Sequence, residues 1–148
     1  MTAPLFVDTN VLVYHVDDRE IEKHRTARGW VTAIWGTGRG QVSCQVLHEF
    51  YATVTRKLTR LCPPAQARAM VRDLLGWGPL TPDRFTLDQA WSVQDRFGLS
   101  WWDALIVASA QAARCAHLLT EDLQPGQDFG GVVVVNPFLT EPAEVLTA

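Results

Sequence analysis

Four valines in a row, Val132-Val133-Val134-Val135, limit the folds open to this chain more than any other feature. A strand with one wet face alternates apolar and polar residues, whereas an unbroken β-branched run is buried on both faces. The run therefore predicts a parallel sheet covered by helices. Leu5-Phe6-Val7 and His117-Leu118-Leu119 read as further strands, and Gln41-Val42-Ser43 as a shorter one. Helical stretches with recognisable ends lie between them. One follows Asp8-Thr9-Asn10. A second covers about 21–34, with Trp30, Val31 and Ile34 at helical spacing, and stops near Gly36 and Gly38. Ser43 is placed to cap a third over about 45–58, where Val46, Phe50 and Val54 recur every four residues. Pro63-Pro64 opens another over about 65–75. Two more cover about 87–97 and about 101–114, the latter apolar on nearly every face, while 120–131 reads as loop. Strands alternating with helices predict an α/β fold, a three-layer α/β/α sandwich with a short, mainly parallel central sheet. No repeat or linker interrupts it, so residues 1–148 are expected to form a single domain.

Composition removes several classes of function. No apolar run approaches the roughly 20 residues that span a bilayer. Met1-Thr2-Ala3-Pro4 lacks the basic and apolar segments of an export leader, which points to the cytoplasm. Cys44, Cys62 and Cys115 are odd in number and lack metal-ligand spacing, and His15, His24, His48 and His117 form no helical i, i+4 pair. A zinc site is not expected. The net charge of −3 argues against a phosphate-binding surface, but its distribution softens the objection. Residues 1–60 hold eight Lys/Arg against six Asp/Glu, and residues 61–148 five against ten.

Ligands of open α/β sheets bind beyond the carboxyl ends of the strands. Asp8 follows the first strand and Asp122 follows Leu118-Leu119; Glu49 lies one turn into the third helix, and Asp103 in the first turn of the apolar helix. All four can face one edge. Four close carboxylates repel one another unless a cation sits among them. Magnesium is held by one or two carboxylates together with waters and substrate phosphates, and activates water for phosphoryl chemistry. Each acid also has a structural reading. Asp8 or Asn10 can cap the helix that follows, and Ser100-Trp101-Trp102-Asp103 has the pattern of a capping box. Glu49 can be a solvated helical residue and Asp122 a turn residue.

Four segments, Phe6-Val7-Asp8-Thr9-Asn10-Val11-Leu12, Gln45-Val46-Leu47-His48-Glu49-Phe50, Ser100-Trp101-Trp102-Asp103-Ala104-Leu105-Ile106 and Leu118-Leu119-Thr120-Glu121-Asp122-Leu123, resemble the motifs of PIN domains in family order. The likeness runs from about Leu5 to Phe138 and is strongest to the VapC toxins of bacterial toxin–antitoxin pairs. It implies a PIN-like fold and a metal-dependent endoribonuclease. Asp8, Glu49, Asp103 and Asp122 would be its catalytic acids and metal ligands, Asp8 and Asp103 the most direct. Asn10, Ser43 and Thr120 would be supporting polar neighbours. Glu121 and Asp128 are further acids that could take the part of Asp122. The resemblance also implies Mg2+ as cofactor, with Mn2+ as the alternative, an RNA substrate such as tRNA or rRNA, a homodimer, and a cognate antitoxin protein. Trp30, Trp35 and Phe50 are candidates for the groove that receives the antitoxin.

Three other readings compete. A phosphatase of the haloacid-dehalogenase type also has an aspartate after its first strand, but needs a second acid where this chain has Asn10. A non-catalytic protein-binding module would use the acids only as caps and surface charges. A PIN nuclease of RNA processing would share the chemistry without being a toxin.

Overall fold

The computed structural model describes residues 3–147. Met1, Thr2 and Ala148, which enter the leader and domain expectations, lie outside them. Strands β1 (Leu5–Val7), β2 (Gly40–Gln41), β3 (His117–Leu119), β4 (Asp128–Phe129) and β5 (Val132–Val135) form one sheet in the order β2-β1-β3-β5-β4. The pairings of β1 with β2, β1 with β3 and β3 with β5 are parallel, and β4 runs antiparallel to β5. The mainly parallel sheet expected from the valines is present. Val132, Val134 and Val135 are buried, while Val133 is only partly covered. Its immediate cross-strand neighbours His117 and Asp128 are not buried either, whereas Leu5 beyond His117 is, so the cover thins along this row from β3 through β5 to β4.

Local chemistry sets the helix ends. Helix α1 (Thr9–Val16) starts at Asp8, whose carboxylate accepts the Thr9 N–H at 2.7 Å. Helix α2 (Ile21–Thr37) stops at Gly38, which takes the left-handed conformation that glycine adopts without steric cost. Ser43 caps α3 (Cys44–Val54) by accepting the Val46 N–H. That helix ends four residues earlier than expected. The Thr55 hydroxyl turns back onto the Tyr51 carbonyl at 2.6 Å, and Leu58, which continues the four-residue spacing from Val54, is exposed and packs on nothing that would prolong the helix. Helix α4 (Pro64–Leu74) opens on its proline pair. Helix α5 (Arg84–Phe97) begins earlier than expected because Asp83 and Thr86 form a reciprocal capping box. Helix α6 (Trp101–Ala112) and a short α7 (Pro142–Leu146) complete the set.

Helices α1, α2, α3, α4 and α7 pack among themselves, whereas α5 packs on α6, and α6 lies on β3 and β5. The result is the three-layer arrangement. Leu5, Phe6, Trp30, Phe50 and Leu118 are fully buried in its core. Each such large side chain contributes roughly 1.5–3 kcal/mol through removal from water. No helix among the described residues is long and apolar enough to cross a membrane.

The register of β1 against β3 decides where function can sit. Val7 lies opposite Leu119, and the Asp8 N–H donates to the Leu119 carbonyl at 3.0 Å. Residues that follow the two strands, Asp8 and Thr120, are therefore side by side at the carboxyl edge of the sheet.

Candidate active site

Asp8 is almost fully buried at that edge. One of its oxygens accepts the Thr9 N–H, and the other accepts the Thr120 hydroxyl at 2.9 Å. Asn10, two residues further on, is the hub. Its side-chain nitrogen lies 3.0 Å from Thr120 Oγ1, 3.0 Å from Asp122 Oδ2 and 3.4 Å from Asp8 Oδ2, while its carbonyl oxygen accepts the Glu121 N–H at 3.4 Å. The Thr120 hydroxyl oxygen in turn accepts the Asp122 N–H. On the opposite side the Thr9 hydroxyl donates to Glu49 at 2.9 Å, and Gln45 donates to the other Glu49 oxygen. Residues 8, 49 and 122, remote in sequence, are thus joined through Thr9, Asn10 and Thr120.

Asp103 enters differently. Its backbone N–H is capped by the Ser100 hydroxyl at 3.2 Å, so the helix-capping expectation is met by Ser100. No hydrogen bond joins the Asp103 carboxylate to the other three acids. Its link to them is electrostatic: burial raises its affinity for a proton, the Ser100 hydroxyl opposes this, and the charges of Asp122 and Glu49 add to the rise. Asp8 is raised further, chiefly because it is more deeply buried. Burial pushes its carboxyl up to about 7 against the Thr120 and Thr9 hydrogen bonds, and Asp122 and Glu49 reinforce the shift. A carboxyl in this state is poised to exchange its proton for a cation.

The arrangement also bears on which ions would suit it. Among the described residues, no three His, Cys, Asp or Glu side chains close on a single ion position, so there is no dedicated cage. The donors are hard carboxylate oxygens, and two of the acids, Glu49 and Asp122, line a cleft of about 360 Å3 together with Thr9, Asn10 and Val13. Such a set fits a magnesium-like ion, which keeps waters and shares itself between one or two carboxylates and a substrate phosphate.

Three expectations are revised. Ser43 is fully buried and its hydroxyl caps α3; no hydrogen bond connects it to any of the four acids. Asp128 is exposed and accepts the Gly131 N–H, closing the turn between β4 and β5. Trp30 and Phe50 are fully buried, and Trp30 donates its indole N–H to the Pro137 and Thr140 carbonyls, so neither can line an open groove. Trp35 is exposed. An apolar groove of about 390 Å3 lies instead between α3 and α4, with Leu47 and Val71 in its lining beside His48, Arg68 and Arg72. Thr9 and Lys23 were not singled out in the sequence. Thr9 lies inside the Asp-Thr-Asn motif, but Lys23 carries no local signal.

The model of the PIN domain matches residues 5–125 of the chain. Among solved structures, a chain from a toxin–antitoxin complex of Klebsiella pneumoniae superposes with a TM-score of 0.64 at 19% identity, covering 91% of this chain and 98% of that one. No curated protein sequence matches. At that identity the superposition speaks to the fold, while the family match spans most of the chain and includes every one of the four acids. The chain belongs to the PIN domain family.

Proposed function

We propose that this chain is a magnesium-dependent endoribonuclease, a single nuclease domain over residues 1–148, acting in the cytoplasm as the toxin of a type II toxin–antitoxin pair. The observation that supports the chemistry most is the joining of Asp8, Glu49 and Asp122 through Thr9, Asn10 and Thr120, with Asp103 coupled by charge. PIN membership and the likeness to the Klebsiella pneumoniae chain support the nuclease and toxin readings.

In this reading Asp8 and Asp103 are the direct ligands, and Glu49 and Asp122 complete the site directly or through water. Held by these residues, a divalent ion would supply compensation of the acidic charge, polarisation of a phosphoryl oxygen and a more acidic water. The chain does the rest. Asn10 holds Asp122, Thr9 holds Glu49, and Thr120 holds Asp8, so that the carboxylates need no reorganisation when a phosphodiester arrives. Val13, Thr53 and Asp17 also line the cleft. Beyond Asp17 in sequence lie Arg19 and the exposed Arg56, Lys57 and Arg60, which suit a polyanion such as tRNA or rRNA. Mn2+ would serve in place of Mg2+. Exposed Phe85, Trp91 and Trp102 on α5 and α6 support a homodimer contact, and the groove between α3 and α4 supports a protein partner such as an antitoxin.

The test is induction of the intact chain, sequencing of the RNA ends it generates, and comparison with Asp8→Asn. Discrete new ends with growth arrest, both absent in the variant, are expected. Identical ends from the variant would remove the catalytic assignment. Cleavage without arrest would point to an RNA-processing nuclease.

A further inference from the structure

The turn after β3 offers two neighbouring acids, Glu121 and Asp122, to one cleft, and that cleft is also lined by Asp17 and Glu49. The four acids fall into two classes. Asp17 is held by Arg19 at 2.8 Å, and Glu121 by Lys23 at 2.8 Å; these are the two ion pairs among the described residues. Glu49 and Asp122 receive only neutral donors, from Thr9 and Gln45 and from Asn10. Every ion pair thus sits on a cleft acid outside the Asp8, Glu49, Asp103 and Asp122 set.

Lys23 is unusually constrained for a lysine near the surface. Its ammonium also donates to the Tyr14 hydroxyl at 3.3 Å and lies 4.9 Å and 5.1 Å from the ring centres of Tyr14 and Phe138. Those rings meet edge to face, with centroids 5.4 Å apart. Cation–π contact with two rings adds to the ion pair in fixing the ammonium. Asn10 accepts the Glu121 N–H from the other side. Glu121 is therefore restrained at its backbone and at its carboxylate.

We infer that Lys23 is a positioning residue of the nuclease site, holding the Glu121 carboxylate out of the donor set so that Asp122 alone of that turn faces the cation. The inference rests on the reading of the four acids as a cation site. Without Lys23, Glu121 is an uncompensated carboxylate with rotamer freedom, attracting the divalent ion away from its productive position. Binding of the ion should then tighten while cleavage falls.

The experiment measures Mn2+ binding to the intact chain by electron paramagnetic resonance, alongside RNA cleavage, for wild type, Lys23→Met, Lys23→Arg, Glu121→Gln and Lys23→Met/Glu121→Gln. A unit charge near a divalent ion in a partly hydrated site shifts affinity by roughly threefold to tenfold. Lys23→Met should bind Mn2+ tighter by that factor and cleave more slowly. Glu121→Gln should bind it more weakly, and this variant still tests the charge balance if Lys23→Met fails to fold. Lys23→Arg and the double variant, in which charge balance is restored, should return toward wild type. Unchanged affinity in both single variants, or loss of cleavage in Lys23→Met that persists undiminished in the double variant, overturns the inference and leaves Lys23 as simple support for the turn. Absence of Mn2+ binding by the wild type overturns the cation site itself, and the inference with it.

Discussion

The Thr120 hydroxyl donates to the Asp8 carboxylate over 2.9 Å, across 112 residues of sequence. It is a buried contact made possible by the parallel register of β1 and β3, and the same oxygen receives the Asp122 N–H and the Asn10 amide. One hydroxyl therefore fixes two of the proposed catalytic acids. Thr120→Val keeps the shape and removes the donor. A hydrogen bond to a charged group contributes about 1.5–3 kcal/mol. We expect RNA cleavage to fall by about one to two orders of magnitude, on the arithmetic of tenfold per 1.4 kcal/mol, while Thr120→Ser retains most of it. Single-turnover cleavage rates at saturating Mg2+ provide the check. Wild-type rates in Thr120→Val would show that Asp8 is oriented by other contacts.

Asp8 should make stability of the metal-free chain depend on pH. Its folded-state value of about 7 lies above the ordinary carboxyl value of 3.8. The folded state thus holds the proton more tightly, and this contribution to stability is complete below about 4 and is lost as pH rises through 7. In the presence of a chelator, melting temperature should be higher at pH 5 than at pH 8. Asp8→Asn removes the buried charge, so it should flatten this dependence and stabilise the metal-free chain at pH 8 by up to about 4 kcal/mol, at about 1.4 kcal/mol per pKa unit. Magnesium should raise the melting temperature of wild type at pH 8 and leave that of the variant nearly unmoved. A metal-free chain that is more stable at pH 8 than at pH 5, with Asp8→Asn showing the same trend, would contradict this role for the buried carboxyl.

Ser100 and Asp103 divide between them two tasks that the motif compresses into four residues. Ser100 accepts the Asp103 N–H and caps α6. Ser100→Ala should destabilise the fold by about 1 kcal/mol, as loss of a helix cap does, and cleave RNA at a rate within a few-fold of wild type. Asp103→Asn should melt like wild type and cleave nothing measurable. Chemical denaturation paired with a cleavage assay separates the two. Equal stability losses in both variants would mean that the Asp103 carboxylate is structural.

Gly40 is needed for packing rather than for backbone freedom. A Cβ added there would collide with the indole of Trp77, whose ring centroid lies 4.8 Å from that of Trp35. Gly40→Ala should cost about 1–3 kcal/mol, the usual penalty of overpacking, and perturb tryptophan fluorescence. Gly29→Ala, with nothing within 4 Å of the added atom, is the control that should not destabilise.

Signals that act over a few residues were legible without coordinates. The valine run announced a covered parallel sheet, Ser43 announced a cap, and Pro63-Pro64 announced a helix start, because each depends on backbone sterics or on hydrogen bonds between near neighbours. The motifs around Asp8, Glu49, Asp103 and Asp122 likewise pointed to the acids proposed here as catalytic, and all four fall within the residues matched by the PIN domain. What no local pattern contained was partnership. Strand β4 and helix α7 are short and are stabilised by what they lie against. The burial of Trp30 depends on carbonyls more than 100 residues away. Ser43 is polar and precedes a helix, which suits both a cap and a site neighbour; only its place in the packed fold chose the cap. The same holds for Glu121, Asp122 and Asp128, three acids of one segment among which the motif favoured Asp122 without excluding the other two. The sheet register placed Asp122 beside Asn10, the packing of α2 brought Lys23 to Glu121, and the turn after β4 claimed Asp128. Which residue types were present, and where helices and strands begin, followed from the chain itself; which carboxylates meet, and which are neutralised, was decided by strand order, since contacts between distant segments exist only once the sheet has formed.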